Sequence, residues 1–503
     1  MKSLIFAAVF FPVWAMAALV DPRLQNFAAA PTGKVRVLAL MDLRTSRPLP
    51  VRASTQSLRH YLNDEMQIAW KRVEPSLATE MSRGEIGNLK FYAINLSFTA
   101  DVTPQGLRAL ARAPGVSKVY ADAPVTMAQP VRVRSVAGVR NQMPYDLLAM
   151  KLDELWKTNP ELIGTGVLVG HIDTGVDGRH GALAGKISLF YDAGKSRTSD
   201  PYDADTHGTH TAGTVAGAGV GGAPMGVAPG ARLISAAALT GYDDMLKSMS
   251  FMLNPDGKVD SSLKPRLVTN SWNCQGAPDV ELFYRAISAW EAGGILTVFS
   301  AGNSGPRPRS ITKPHEHPLS FSVAATGPNG RIADFSSRGP GVFNGQDTQK
   351  PDLGAPGVDI ISAVPGGGYK AMSGTSMAAP HIAGLAAILY QVDPSLTPAK
   401  IREVMLRATD SVDEKGQPQG EPRWNPVFGF GHANALKAVS IVKAQMGARE
   451  RRWGQFMAPA VDLIKGFQAM TDLGTNFESD GDPSEVFQTF VTDESQWLQG
   501  ELI

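Results

Sequence analysis

Apolar residues along this chain follow two different periods. From about residue 146 to 447, short runs rich in Val, Ile and Leu alternate with helix-like stretches. The runs at 167–172, 233–238, 267–270, 295–300 and 321–325 have the length and β-branched content of strands buried on both faces. Helical patterns fill the intervals, notably 207–216, 280–292 and the apolar run 382–390. This alternation predicts an α/β domain: a doubly wound, mostly parallel sheet with helices on both faces and function at the carboxyl ends of its strands. Residues 34–124 read differently. A strand at 35–41, a helix at 55–71, an alternating strand at 91–98, a helix capped by Thr103 and opened by Pro104, and a strand at 116–120 predict a small α+β unit. It would carry two helices on one side of a sheet.

Between 124 and 144 the periodicity lapses and Arg132, Arg134 and Arg140 appear, which predicts an exposed linker open to proteases. The first seventeen residues carry Lys2, an apolar stretch over 4–14 and the small-x-small sequence Ala15-Met16-Ala17. That is the pattern of a secretory signal peptide, too short to span a bilayer, and no other apolar run reaches about 18 residues. The expected product is a secreted protein, periplasmic or extracellular, without a membrane span in the mature chain. The closing segment, 448–503, passes from Arg449, Arg451 and Arg452 to an acidic, aromatic-bearing stretch of unreadable purpose.

Composition narrows the picture. The chain has 503 residues, a net charge of +1 and one cysteine, Cys274. Near-neutral charge gives no reason to expect nucleic acid as partner, and a lone cysteine excludes an internal disulfide.

The chemistry concentrates in MSGTSMAAPH, where Ser376 stands before the helix-like run. A serine there has unpaired backbone N–H groups and the positive helix end beside it, although by itself it is more simply a cap. Three other motifs bear on it. Asp173 ends a buried strand in HIDTGVD, with Gly175 allowing a sharp exit. His207 opens a helix of small residues in DTHGTHTAG and offers a base near neutral pH. Asn303, flanked by Gly302 in SAGNSG, presents a side-chain amide that could donate to an oxyanion. A metal site from Asp205, His207 and His210 lacks HExxH spacing and a clear third ligand. An α/β-hydrolase would need Gly-x-Ser-x-Gly and the order Ser, Asp, His, whereas residue 378 is alanine and Asp173 and His207 precede the serine.

With these residues in place the chain resembles the subtilisin-like serine peptidases. HIDTGVD, DTHGTHTAGTVAG, VTNSW, SAGNSG, FSSRGP, GTSMAAPHIAG and GFGHANALKAV carry the resemblance, and DVTPQGLRALARAPGVSKVYAD resembles the family's inhibitory propeptide. The resemblance implies a triad of Asp173, His207 and Ser376, an oxyanion hole completed by Asn303, and a substrate-lining strand at Ser271, Trp272 and Asn273 with Gly302 nearby. It implies protein or peptide substrates, a propeptide over 18–135 that acts as an intramolecular inhibitor, a peptidase domain over 136–447, autocatalytic activation, and a monomer. Trp272 and Asn273 are bulkier than the small residues usual there, which leaves open what they do to specificity. The chemistry needs no cofactor. The family's strong calcium site is expected to be missing, because Ala182 stands where an aspartate usually does and GAGVGGAPM has no oxygen-bearing side chain; calcium elsewhere is left open. An inactive scaffold with a permanently bound propeptide is the remaining rival.

Overall fold

In the computed structural model, eight strands form the sheet that carries the chemistry, and their buried, β-branched sequences explain why. Their spatial order is Arg197–Thr198, Ile187–Asp192, Arg232–Ala237, Leu168–Asp173, Leu267–Asn270, Leu296–Ser300, Ser320–Thr326, Leu353–Pro356. All are parallel except the Arg197–Thr198 edge, which runs antiparallel to Ile187–Asp192. The α/β, doubly wound expectation is met. The five strands read from sequence are present within a residue or two, and Ile187–Asp192, Arg197–Thr198 and Leu353–Pro356 are additions. The structure describes residues 18–452 apart from 31, 44–46, 51–53, 128–129, 137–141, 220–223, 239, 259–262, 275–276 and 278. The signal-peptide reading of 1–17, Arg140, and the acidic stretch beyond 452 lie outside the described residues.

The helix Thr375–Val392 is apolar all round, and every residue from Thr375 to Tyr390 is buried. Such a helix is stable only inside a core, and this one packs on Leu267–Asn270, Leu296–Ser300 and Ser320–Thr326. Its position is pinned by His381, whose Nδ1 lies 2.7 Å from the Met377 carbonyl and whose Nε2 lies 3.0 Å from Asp146 Oδ2. On the opposite side of the sheet, close packing depends on Gly170. A Cβ there would fall 2.8 Å from Val268 Cγ2 and 3.1 Å from Met252 Sδ.

The N-terminal sheet has five strands in the order Leu19–Val20, Val116–Ala121, Val35–Met41, Ser97–Val102, Ile86–Tyr92. One face packs on its own helices, Thr55–Ser82 and Pro104–Arg112, through Val37, Ala39 and Met41. The alternate residues Leu38 and Leu40 share a core with Tyr242, Phe283 and Ala286 of the helices Tyr242–Leu253 and Glu281–Ala292. A sheet with period-2 alternation and apolar residues on both faces needs two covers. The second cover is the parallel-sheet domain itself.

Three expectations in this region are corrected. The single strand at 91–98 is two strands, Ile86–Tyr92 and Ser97–Val102, joined by a turn in which Leu96 adopts φ 55°. The helix expected at 55–71 runs to Ser82 through Pro75, because Val73 and Leu77 continue the buried stripe of Met66 and Ala69. The segment expected to be an irregular linker contains two paired strands, Thr126–Met127 and Arg132–Ser135.

The chain divides into two compact units, Met1–Lys443 and Ala444–Ile503; residues 444–452 of the second are helical. Among the described residues, no helix is long and apolar enough to cross a membrane.

Candidate active site

Asp173 is the last residue of the central strand Leu168–Asp173. The chain leaves through Gly175, whose φ of +116° and approach to the Tyr202 carbonyl allow no side chain. The Asp173 carboxylate is nearly fully buried and must be compensated. Its Oδ1 accepts from the Thr174 N–H at 2.8 Å and from His207 Nδ1–H at 2.6 Å, and its Oδ2 lies 3.1 Å from Thr211 Oγ1. Burial works against ionisation, but the charge and hydrogen bond of His207 outweigh it and hold the carboxyl below its ordinary value.

His207 opens the helix His207–Ala216, with Asp205 Oδ1 accepting from its N–H at 3.2 Å. Burial disfavours the imidazolium, yet Asp173, then Asp203 and Asp205, raise its pKa overall. The other ring nitrogen, Nε2, is buried and has no hydrogen-bond partner among the described residues. A base oriented through one nitrogen, with the other held ready, is what removal of a hydroxyl proton requires.

Asp173 has a second histidine beside it, and geometry separates the two. His171 Nε2 stands 3.9 Å from Asp173 Oδ2, but its nitrogens are engaged by Ser235 Oγ and Thr211 Oγ1, each at 2.9 Å. Burial lowers its pKa. His171 is therefore a satisfied core residue. His210 also turns away: its Nε2 donates to the Ile360 and Lys370 carbonyls, and burial pushes its pKa down to about 3. The Asp205–His207–His210 metal arrangement does not form.

Ser376 is the second residue of Thr375–Val392, fully buried at that helix's N-terminus. Asn303 faces it from the turn after Leu296–Ser300. Asn303 Oδ1 accepts from the Thr375 N–H at 2.9 Å and from Thr375 Oγ1 at 2.8 Å, which commits the oxygen. The amide nitrogen is thereby turned toward the cleft, 3.4 Å from where a Gly374 Cβ would sit. Gly302 adopts φ +102° and donates its N–H to Thr375 Oγ1 at 3.2 Å.

The subtilase family model matches residues 164–431, more than half of the chain and all of the elements just described. The chain belongs to the subtilase family. It is 31% identical over 384 residues to serine protease AprX of Bacillus subtilis (strain 168), covering 70% of this chain and 80% of that protein. It is 34% identical over 315 residues to bacillopeptidase F of the same strain, covering 57% of this chain but only 21% of that much longer relative. In fold it matches the crystal structure of fervidolysin from Fervidobacterium pennivorans, a keratinolytic enzyme related to subtilisin. The TM-score is 0.59 at 21% identity, over 85% of this chain and 63% of that one.

In this subtilase the Ser271–Asn273 stretch meets the cleft through its backbone. Trp272 is fully buried. Its Nε1–H donates to Asn270 Oδ1 at 3.0 Å and its ring lies edge-on to Phe283 and Phe299. The bulk that stood out in the sequence is core packing and does not project into the cleft. Ser271 Oγ donates to the Ser376 carbonyl at 3.2 Å, and Asn273 is buried.

Ala182 is a buried methyl-bearing residue whose carbonyl accepts from the Ala218 N–H at 2.8 Å. Among the described residues, no three His, Cys, Asp or Glu side chains are grouped to hold a metal.

Sequence reasoning missed Asp203 and Thr211. Asp203 Oδ1 accepts from Thr174 Oγ1 at 2.6 Å, and Oδ2 accepts from the Thr209 N–H and Oγ1 at 2.7 and 2.6 Å. It ties the exit of the Asp173 strand to the His207 helix. The sequence DADTHGTH holds four acidic or hydroxyl candidates, Asp203, Asp205, Thr206 and Thr209, with nothing to single the first one out.

The most consequential missed feature is what covers the site. Thr126–Met127 pairs antiparallel with Trp272–Asn273, on one side of Ser376. Arg132–Ser135 pairs antiparallel with Gly368–Ser373, on the other side, extended by a 2.7 Å bond from the Val131 N–H to the Ser373 carbonyl. The chain's own residues 126–127 and 131–135 thus occupy both rims as added strands, and Asp173, His207 and Ser376 are all buried.

Proposed function

We propose that this subtilase is a secreted serine endopeptidase, made as a zymogen that cleaves its own chain. The observation that carries the proposal is the antiparallel pairing of residues 126–127 and 132–135 on either side of Ser376. An extended peptide added as a strand to both rims of a cleft is a peptidase substrate's binding mode.

The mechanism follows from the site. His207 Nε2 takes the proton of Ser376 Oγ as the oxygen attacks the peptide carbonyl. Asp173 fixes the tautomer with Nδ1–H and stabilises the imidazolium. The developing oxyanion is held by Asn303 Nδ2 and the Ser376 N–H at the helix N-terminus. The imidazolium then gives its proton to the leaving amine, an acyl-enzyme remains, and water repeats the sequence.

For autoprocessing, the reading selects the peptide bonds between Met127 and Pro130. The N-terminal α+β unit then becomes a cleaved inhibitor. It is held by Lys118 Nζ to Asp279 at 2.6 Å and to Glu281 at 2.7 Å, by Asn95 Nδ2 to the Leu282 carbonyl at 3.0 Å, and by the shared apolar core. The signal-peptide pattern in the first seventeen residues supports export before activation.

The test is to express the full chain and Ser376→Ala, sequence their N-termini, and label both with a fluorophosphonate. Wild type should show a new N-terminus at 128, 129 or 130, bind the probe after processing, and hydrolyse casein. Ser376→Ala should do none of these. The same internal N-terminus in both proteins would refute self-cleavage, and probe labelling of Ser376→Ala would refute the nucleophile.

A further inference from the structure

Beside the reacting position lies a cavity of about 510 Å³ whose charge is one-sided. It opens between Cys274, directly after the Trp272–Asn273 strand, and Ser304, directly after Asn303. Its floor is fixed. The Cys274 N–H donates to the Lys313 carbonyl at 2.9 Å, and Thr312 Oγ1 is 2.9 Å from His315 Nδ1. A chain paired antiparallel with Trp272–Asn273 and continuing to Ser376 brings the residue whose carbonyl is attacked next to this cavity.

Among the described residues, the charged side chains that line the cavity are Arg307, Arg309 and Lys313, with no carboxylate. Arg309 is partly neutralised by Asp347, with two bonds of 2.7 and 2.8 Å. Lys313 feels the buried Glu316. Arg307 is exposed and makes no ion pair among the described residues. A cationic fork without a partner at the mouth of a substrate cavity suits a planar carboxylate, which it can meet bidentately.

Resting on the endopeptidase reading above, we infer that among separate substrates this cavity favours a glutamate or aspartate side chain immediately before the scissile bond, Arg307 being the principal recognising residue; the chain's own junction, with Met127, Ala128 or Gln129 before the bond, is cut because it is tethered in the cleft and not through this preference. The charge set disfavours Lys and Arg at that position by like-charge repulsion. It discriminates against Gln only by the charge difference, since Gln has the same shape as Glu.

The test uses three peptides identical except for Glu, Gln or Lys before the scissile bond, assayed with the processed wild type, Arg307→Ala and Arg307→Glu. For one exposed charge pair the expected preference is roughly twofold to fivefold in kcat/KM. Wild type should favour Glu over Gln by about that factor and over Lys by more, and the preference should shrink in 0.5 M salt because screening shortens to about 3 Å by 1 M. Arg307→Ala should bring the Glu/Gln ratio near unity, and Arg307→Glu should invert the Glu/Lys order. The readouts are ratios within each variant, so a general loss of activity does not shift them. Equal or faster cleavage of Gln or Lys peptides by wild type overturns the assignment, as does an unchanged Glu/Lys ratio in Arg307→Glu. Casein hydrolysis without a Glu preference sinks this inference alone. Absence of both casein hydrolysis and probe labelling sinks the endopeptidase reading and this inference with it.

Discussion

Replacing Asp173 by asparagine tests the proposed mechanism at the point where the structure is most explicit. The carboxylate is fully buried, accepts His207 Nδ1–H at 2.6 Å, and is the main group that raises the imidazole's pKa against burial. Asparagine keeps the shape and removes two things. The first is charge. For unit charges about 4 Å apart at an effective dielectric of about 20, the attraction is about 4 kcal/mol, or roughly three decades in the rate of a step that creates imidazolium. The second is the tautomer. An amide NH₂ facing Nδ1 would leave the proton on Nε2, where it blocks the base; the corresponding substitution in a serine-peptidase triad lowers kcat about 10⁴-fold. The two effects overlap, so the expected loss is about 10³ to 10⁴ and not their product. Conversion of precursor to the shorter form in a pulse-chase would report it, followed by fluorophosphonate labelling of any processed protein. With the NH₂ at the Oδ1 position, Thr211 Oγ1 keeps an oxygen to donate to while the Thr174 N–H loses its acceptor, a cost of about 1–3 kcal/mol that should leave the protein folded, as circular dichroism would show. A folded Asp173→Asn protein that processes itself within tenfold of the wild-type rate would refute the assigned role.

The other predictions use the same geometry. His171→Ala should cost about 1–3 kcal/mol of stability by stranding the buried Ser235 hydroxyl, Thr211 keeping its bonds to Asp173 and Gly208, measured in denaturant, but less than tenfold in activity, whereas His207→Ala should abolish activity; equal losses would reverse the choice between the two histidines. Because the folded-state pKa of His207 is raised, the acidic limb of kcat/KM should lie above the ordinary imidazole value of about 6.5, while the stability that protonation lends is present at low pH and is lost as pH rises through the raised pKa. A limb at or below the ordinary value would contradict the coupling to Asp173. Burial raises the Glu316 carboxyl to about 7, so its stabilising contribution is complete below about 4.5 and lost as pH climbs past 7. Glu316→Gln should accordingly match wild type at pH 4 and exceed it at pH 8 by about 3 kcal/mol, read as a rise in Tm. No gain at pH 8 would mean that Glu316 ionises at its ordinary pKa.

The parallel sheet was legible because buried strands carry β-branched runs that little else in a chain resembles. Ile187–Asp192 escaped notice because it is half-exposed and interrupted by polar residues, and Leu353–Pro356 because its LGAP sequence reads as a turn. The misjudged strand at 91–98 has a specific cause. Ile94 and Leu96 extend the alternation through what is a turn, and both are buried there, so polarity gave no break. The long helix defeated expectation in the opposite direction. A proline inside a helix costs a hydrogen bond, yet Val73 and Leu77 bury enough apolar surface to carry the helix past Pro75.

The site divides along similar lines. Asp173, His207, Asn303 and Ser376 announced themselves because each stands beside glycines or small residues at a strand or helix end, where only special geometry tolerates them. Asp203 and Thr211 act by hydrogen bonds that span 29 and 38 residues of chain, the latter from inside a helix of like residues, and leave no local trace. The covering segment was the least legible of all, and for a physical reason. Residues 126–127 and 131–135 pair through their backbones with rims that belong to the cleft, while Arg132–Ser135 leaves every side chain exposed. A strand held by main-chain bonds alone needs no apolar alternation, so its sequence looks like a linker. The same property is what a self-cleaved junction requires. A segment anchored by its own side chains would remain in the cleft after the bond is cut, whereas one held only by a few backbone pairs can leave it to a substrate.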